Sequence, residues 1–223
     1  MDTFPQNPRC QASSDVSNTA YDGRTLCKAC GICCSGLLYS QVKINAVEAD
    51  RLIPLDLQIN KAHPEALPHP CGAYNGHCCN IYLDRPKVCR EYQCKLLKEV
   101  ISSDTQLNDA LEIVDITKQQ GLWIRNALNK IENPNAIPTN EWPLKDINIR
   151  DSLSRFAKSI RKKLNSPTHT PLSENEINLC YSAFDYFKGL KHSFRTSSLF
   201  YTYADLLLEI EKQANETLKS DSR

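Results

Sequence analysis

Nine of the chain's eleven cysteines lie between positions 27 and 94, and they are the residues best suited to do chemistry. They are Cys27, Cys30, Cys33, Cys34, Cys71, Cys78, Cys79, Cys89 and Cys94. The first four form the pattern C-x-x-C-x-x-C-C. Two thiolates separated by two residues can bind one metal, because a tight turn brings both sulfur atoms to the roughly 2.3 Å bond length of zinc. Iron–sulfur clusters use the same spacing, so the pattern predicts a cysteine-ligated metal centre of one kind or the other.

The match to an iron–sulfur run covers Cys27, Cys30 and Cys33. A ferredoxin-type run would continue with a cysteine three residues later, followed by proline, whereas Cys34 is adjacent to Cys33. Adjacent side chains tend to point apart, so these two thiols are not expected to bind one ion side by side. The chain has more thiols than one tetrahedral site needs. Two interpretations stay open: two metals, or one cluster with a spare reactive pair.

Basic residues are interspersed with the cysteines. Four thiolates around Zn²⁺ or a [4Fe–4S]²⁺ core carry a formal charge of −2, which nearby cations would partly offset. Arg85 and Arg90 are candidates for this role, and ordinary surface charge is the alternative. His69 and His77 could each replace a thiolate, although both lie in Pro- or Gly-rich loops where histidine is common without a metal.

The composition indicates which cellular compartment and which classes of partner are expected. The 223 residues carry a formal net charge of +1, which favours neither nucleic acid nor an anionic membrane surface as a partner. The N-terminal segment lacks an apolar signal region, and no stretch approaches the roughly 18 apolar residues of a membrane span. The expected location is the cytoplasm, where thiols stay reduced and dense cysteines indicate metal or redox chemistry. Cys10, in a polar segment, and Cys180, on an apolar helical stripe, are not expected to be ligands.

Short elements are predicted around the cysteines. Residues 36–44 alternate as a short strand, followed by a helix capped by Asn45 and ended by Pro54. The proline-rich segment from 55 to 76 is predicted to be a loop that carries Cys71. A second strand at 81–83 is predicted to lead into a helix that begins at Asp84 and carries Cys89. Cys94 would lie about 140° further round that helix, unless the helix is interrupted.

The second half has apolar residues at helical spacing. The stripes predict helices over Leu107–Ile131, Ile149–Leu164, a segment capped by Ser173, and Tyr203–Leu218. The predicted fold class is therefore α+β and mostly helical: a loop-rich cysteine domain with a short strand pair, then a helical C-terminal half. Three regions are predicted: a disordered tail at 1–24, a cysteine-cluster metal-binding domain at 25–102 and a helical region at 103–223.

The cysteine stretch resembles a known family. The C-x-x-C-x-x-C-C run, a Cys with an aromatic residue three positions on, and C-x-I-Y-x-x-R-P-x-x-C-R-x-Y-x-C from Cys79 to Cys94 are similar to the bacterial zinc- or iron-chelating YkgJ-like proteins. The resemblance covers about a third of the chain and implies metal binding. The cysteines that it implies as ligands are Cys27, Cys30, Cys33, Cys34, Cys71, Cys79, Cys89 and Cys94. Cys78 is an addition to the family pattern.

Three functions are compatible with these observations. The leading hypothesis is an iron–sulfur protein, with a [4Fe–4S] cluster in a redox or accessory role and possible oxidoreductase activity. The second is a zinc-stabilised interaction module whose helical half binds a protein partner. The third is a methyltransferase-like enzyme, because some members of the family are flagellin lysine methylases. No glycine-rich nucleotide loop supports the third hypothesis.

Overall fold

The computed structural model describes residues 18–61, 65–76, 78–139, 149–166, 171–194 and 198–221. Within these ranges the fold is mostly helical, with one two-stranded antiparallel sheet, which confirms the predicted class. The strands are β1, Gln41–Lys43, and β2, Ala66–Pro68. The helices are α1, Asn18–Cys30; α2, Ala46–Leu52; α3, Lys87–Glu91; α4, Lys95–Ile101; α5, Leu107–Glu132; α6, Ile149–Leu164; α7, Glu174–Ser193; and α8, Ser198–Asp221. None of these helices has the length and hydropathy that a membrane crossing requires.

The chain divides into two compact units, and the division falls within α5. The first contains the described residues up to Ile116, and the second contains those from Thr117 onward. Whether residues 25–102 and 103–223 fold independently stays a prediction. Helix α1 begins at Asn18, inside the segment 1–24 that composition assigns to a tail; residues 1–17 lie outside the described part of the chain.

In the first unit the capping box and the presence of a strand pair are confirmed, whereas the strand predicted at 81–83 and the uninterrupted loop predicted at 55–76 are wrong. Helix α2 has the predicted capping box, in which Asn45 accepts a hydrogen bond from the Glu48 amide at 2.9 Å. The strand pair forms, but β1 pairs with β2 and not with residues 81–83, which form turns. Strand β2 lies in the proline-rich segment that was predicted to be a loop. Proline can end a short edge strand, because its missing N–H is not needed there.

The segment after β2 also differs from the prediction. The helix that carries Cys89 starts at Lys87 with Pro86 as its N-cap, three residues later than predicted, and it ends at Glu91. Cys94 then caps a separate helix, α4, so the helix is interrupted between the two thiols. The interruption removes the constraint that would have turned Cys89 and Cys94 about 140° apart.

The second unit is held together by the predicted apolar stripes. Helix α8 packs against α6 and α7, and the side chains of Cys180 and Tyr203 are fully buried. The Tyr203 hydroxyl donates a 2.8 Å hydrogen bond to the Leu153 carbonyl, which satisfies its polar atom inside the core. Helix α7 begins with the predicted capping box between Ser173 and Glu176. This unit has an apolar core that contains none of the nine clustered cysteines.

Candidate metal centre

The first two thiols lie on the last turn of α1. Cys27 and Cys30 are three residues apart, so they share one face of the helix. Gly31 ends the helix in the left-handed region, at φ 63°, which costs a residue without a side chain little. The turn that follows carries Cys33 and Cys34 and closes with a 2.9 Å hydrogen bond from the Ser35 amide to the Gly31 carbonyl. The last turn of α1 and the turn that follows it therefore carry four thiols.

A buried tyrosine holds the second cysteine segment against this turn. The Tyr74 ring packs on Gly31 so closely that a Cβ there would overlap it. The Tyr74 hydroxyl donates to the Gly76 carbonyl at 2.8 Å, and its backbone pairs with Cys79. The Cys71 amide donates to the Cys34 carbonyl at 2.7 Å. These contacts bring Cys71 and Cys79 to the end of α1 although they are far from it in sequence.

Four thiols lie near one another at this junction, and we call them the first thiol group: Cys34, Cys71, Cys79 and Cys89. Each interacts electrostatically with the other three. Burial is the main cause that raises their pKa values, and repulsion between neighbouring thiolates adds to it; the pKa of Cys79 is raised to about 11 and that of Cys89 to about 12. Without a metal these side chains are therefore neutral thiols at pH 7.

The first thiol group is also part of an apolar core. Cys71 and Cys79 belong to a buried cluster that includes Leu52 and Leu67, and Cys34 packs against it. Thiols in such surroundings are well shielded from water, and only a metal or cluster would make their ionised form favourable. The site therefore lies where binding of a metal would add directly to the stability of the fold.

The other four motif cysteines form the second thiol group: Cys27, Cys30, Cys33 and Cys94. Cys27, Cys33 and Cys94 interact with one another, and Cys30 interacts with Cys33. The Cys94 sulfur caps α4 by accepting from the Leu97 amide at 3.4 Å. Cys27 also interacts with Cys34, Cys79 and Cys89 of the first group. The adjacent residues Cys33 and Cys34 share Cys27 as a partner, but Cys33 also interacts with Cys30 and Cys94, whereas Cys34 interacts with the rest of the first group.

One cation contacts the thiols directly. The guanidinium of Arg85 lies 3.5 Å from the centre of the Tyr82 ring, and its Nε donates to the Tyr82 carbonyl at 2.8 Å. These two contacts aim its Nη1 at the Cys27 sulfur, 3.8 Å away. The Lys28 ammonium lies 4.9 Å from the centre of the same ring. Arg85 is thereby placed to offset negative charge on Cys27.

The donor set is that of a thiolate-bound metal. Within the described ranges no three His, Cys, Asp or Glu side chains are already placed to hold a single metal ion. The first thiol group nevertheless has the donor chemistry of zinc and iron–sulfur sites, because its four members are cysteines that lie near one another and are largely sheltered from water. The residues present therefore fit a thiolate-bound metal centre.

Comparison with known proteins agrees with this site. Residues 26–115 match the model of a family described as "CxxCxxCC: Putative zinc- or iron-chelating domain". This segment is similar to that domain, and we refer to it below as the CxxCxxCC domain. It covers about two fifths of the chain and contains both thiol groups. No curated protein and no solved structure matches the chain. The description of this family supports metal binding through the cysteines of the matched segment.

The structure places the remaining sequence candidates as follows. Arg90 contacts no thiol; it donates to the Arg85 carbonyl at 2.9 Å. His69 is buried, and burial lowers its pKa to about 4, so its side chain is neutral at pH 7. The sulfur of Cys78 is in a disulfide bond, which agrees with its absence from the family pattern. Cys180 lies in the core of the second unit, as predicted.

His77 and Cys10 lie outside the described residues, and nothing further follows for them. Sequence reasoning missed one residue of the CxxCxxCC domain, Tyr82, whose ring and carbonyl position Arg85. The signal was present, because Tyr82 is the aromatic residue of the I-Y-x-x-R-P element. Its role depends on the contact between its ring and Arg85, which the sequence pattern does not reveal.

Proposed function

We propose that the CxxCxxCC domain holds an iron–sulfur cluster on the first thiol group and serves in a redox or accessory role. The support is the approach of four thiols from distant parts of the chain, each of which interacts electrostatically with the other three, next to an apolar core. In a [4Fe–4S] cluster each thiolate binds a different iron atom, so the four sulfur atoms lie further apart than around one tetrahedral zinc. When bound, such a cluster supplies one-electron transfer.

The surroundings of the first thiol group suit this role. Cys34, Cys71 and Cys79 are packed with apolar side chains, which exclude water and favour a cluster that oxygen and solvent would otherwise degrade. Arg85 places a positive charge at Cys27, which interacts with three of the four ligands. A nearby cation stabilises the more negative, reduced state, so we expect Arg85 to raise the reduction potential.

The second thiol group supports a further centre. Its four members include three that interact mutually, and Cys27 links them to the first group. Two neighbouring metal centres would explain why the domain carries eight motif cysteines where one cluster needs four. This arrangement favours the two-metal interpretation over one cluster with a spare thiol pair.

A zinc-stabilised interaction module is the second candidate. The observation that favours it is the position of the first thiol group within the apolar core, where a structural zinc would stabilise the fold without redox chemistry. The donor chemistry is the same for both metals, so the two candidates differ in metal content and colour.

Anaerobic purification of the full chain, followed by iron, zinc and acid-labile sulfide analysis, decides between them. The proposal predicts brown protein with iron and sulfide in matching amounts and a visible absorption band that air bleaches. Colourless protein that carries zinc and is unaffected by air would overturn the proposal and establish the second candidate. Expression with added iron and, separately, with added zinc controls for loading by whichever metal is abundant.

A further inference from the structure

The second unit contains a groove that the metal chemistry does not use. Its volume is about 890 Å³, within the range of about 300–1,000 Å³ typical of ligand sites. One wall is a face of α5, where Trp123, Asn126 and Lys130 are spaced three to four residues apart. Another wall is formed by the first two turns of α7, with Asn175 and Asn178. All of these residues belong to the second unit.

One lining residue already binds backbone groups of the chain. The Asn126 side chain donates to the Thr139 carbonyl at 2.9 Å and accepts from the Thr139 amide at 3.1 Å. A carboxamide carries a donor and an acceptor side by side, so it can pair with both polar groups of one residue of an extended chain. The groove thus shows, on the protein's own backbone, how it can bind a peptide.

Further carboxamides line the groove without such a partner. Asn129, Asn175 and Asn178 make no side-chain hydrogen bond to any other described residue. Each can therefore offer a donor and an acceptor to a bound chain, as Asn126 does for Thr139.

Apolar side chains and charge complete the recognition surface. Trp123 is 51% exposed and Ile137 is 89% exposed, although both are large and apolar. Exposed aromatic and aliphatic anchors beside polar side chains are characteristic of binding surfaces. Lys163 and Glu176 neutralise one another at 2.6 Å, so among the lining residues Lys130 contributes positive charge to the rim. This balance suits a neutral backbone with an acidic group better than a polyanion.

We propose that this groove binds an extended peptide segment of a partner protein. Asn129, Asn175 and Asn178 pair with the peptide backbone, Trp123 covers an apolar side chain, and Lys130 faces an acidic residue. The site is independent of the metal centre, so it stands or falls separately from the proposed redox role. A binding site in the helical half would give the chain a way to recognise the protein on which it acts.

The test uses the full, metal-loaded chain and a phage-displayed library of random linear dodecapeptides. Enriched sequences are resynthesised, and their affinities are measured by fluorescence anisotropy. We expect enriched peptides to combine an apolar and an acidic residue. The double variant Asn175→Ala/Asn178→Ala should weaken binding about tenfold, because it removes about two net hydrogen bonds. Asn215→Ala, an exposed asparagine of α8 outside the groove, is the matched control and should bind as the wild type does.

A second readout locates the peptide. Trp142→Phe leaves Trp123 as the single tryptophan of the chain, and a bound peptide should then shift its fluorescence. Peptides that bind the double asparagine variant with unchanged affinity, or leave Trp123 fluorescence unaltered, would overturn the proposal. The proposal would also be overturned if no peptide sequence were enriched above the level of phage that carry no insert. Circular dichroism confirms that each variant is folded.

Discussion

Replacing Arg85 tests whether its cation stabilises the metal centre. In Arg85→Ala three contacts are lost: the Cys27 sulfur at 3.8 Å, the Tyr82 carbonyl at 2.8 Å and the face of the Tyr82 ring. Hydrogen bonds to charged groups contribute about 1.5–3 kcal/mol, and the long sulfur contact belongs at the lower end of that range. A loss of about 1.5 kcal/mol corresponds to roughly tenfold weaker retention of metal.

The other two contacts act on the fold. A half-exposed cation–π pair contributes about 0.5–1 kcal/mol, and the carbonyl hydrogen bond contributes about 1 kcal/mol. Arg85→Ala should therefore also lower the free energy of unfolding of the metal-free protein by about 1.5–2 kcal/mol. Arg85→Lys keeps the charge but lacks the planar fork, so its metal retention should lie between wild type and alanine.

The assay follows the release of metal to a chromophoric chelator, under anaerobic conditions, for wild type and both variants. Arg90→Ala is the matched control, since Arg90 donates to a backbone carbonyl and contacts no thiol. Arg85→Ala should release metal about ten times faster, whereas Arg90→Ala should stay close to wild type. Equal release rates for Arg85→Ala and wild type would refute the argument that this cation stabilises the thiolates.

Three further predictions concern the fold. Gly31→Ala should destabilise the metal-free protein by about 2 kcal/mol or more, because an alanine would be strained at a φ of 63° and its Cβ would collide with the buried Tyr74. Denaturant unfolding measures this loss, and a variant as stable as the wild type would contradict the prediction. Burial alone would raise the pKa of Glu176, but hydrogen bonds from Lys163 and Ser173 lower it, so its ionised form stabilises the fold at neutral pH. Glu176→Gln should therefore cost about 1–2 kcal/mol in thermal unfolding at pH 7, a difference that closes as the pH falls through the ordinary titration range of glutamate and below it; a cost independent of pH would show that the charge does not contribute. Cys180→Ser should cost about 1–3 kcal/mol and leave metal content unchanged; loss of metal would make Cys180 a ligand.

Much of the helical half could be predicted because its information is local. The stripe Ile149, Leu153, Phe156, Ile160 and Leu164 is buried at every position, and the Ser173–Glu176 capping box forms as the sequence indicates. Apolar periodicity and capping depend on residues only a few positions apart. The groove could not be predicted in this way, since it needs α5 and α7 to be brought together.

The metal site could be predicted less completely, because more of it depends on contacts between residues that are distant in sequence. Its cysteines were identified from spacing and family resemblance, but their division into two groups depends on interactions between residues up to 67 positions apart, such as Cys27 with Cys94. Strand β2 was missed because it pairs with a strand that is distant in sequence, with Leu67 opposite Val42 of β1, and because prolines surround it. The break between Cys89 and Cys94 was left open, and the structure places it at the cap that Cys94 provides for α4.

A comparison of Cys34→Ser with Cys33→Ser tests the central claim most directly. The two residues are adjacent, yet Cys34 belongs to the first thiol group and Cys33 to the second. Iron and acid-labile sulfide are measured in both variants after anaerobic purification, with wild type alongside. We expect Cys34→Ser to lose the air-sensitive absorption band, and Cys33→Ser to keep it. Equal losses, or retention of the band in Cys34→Ser, would contradict the assignment of a cluster to Cys34, Cys71, Cys79 and Cys89.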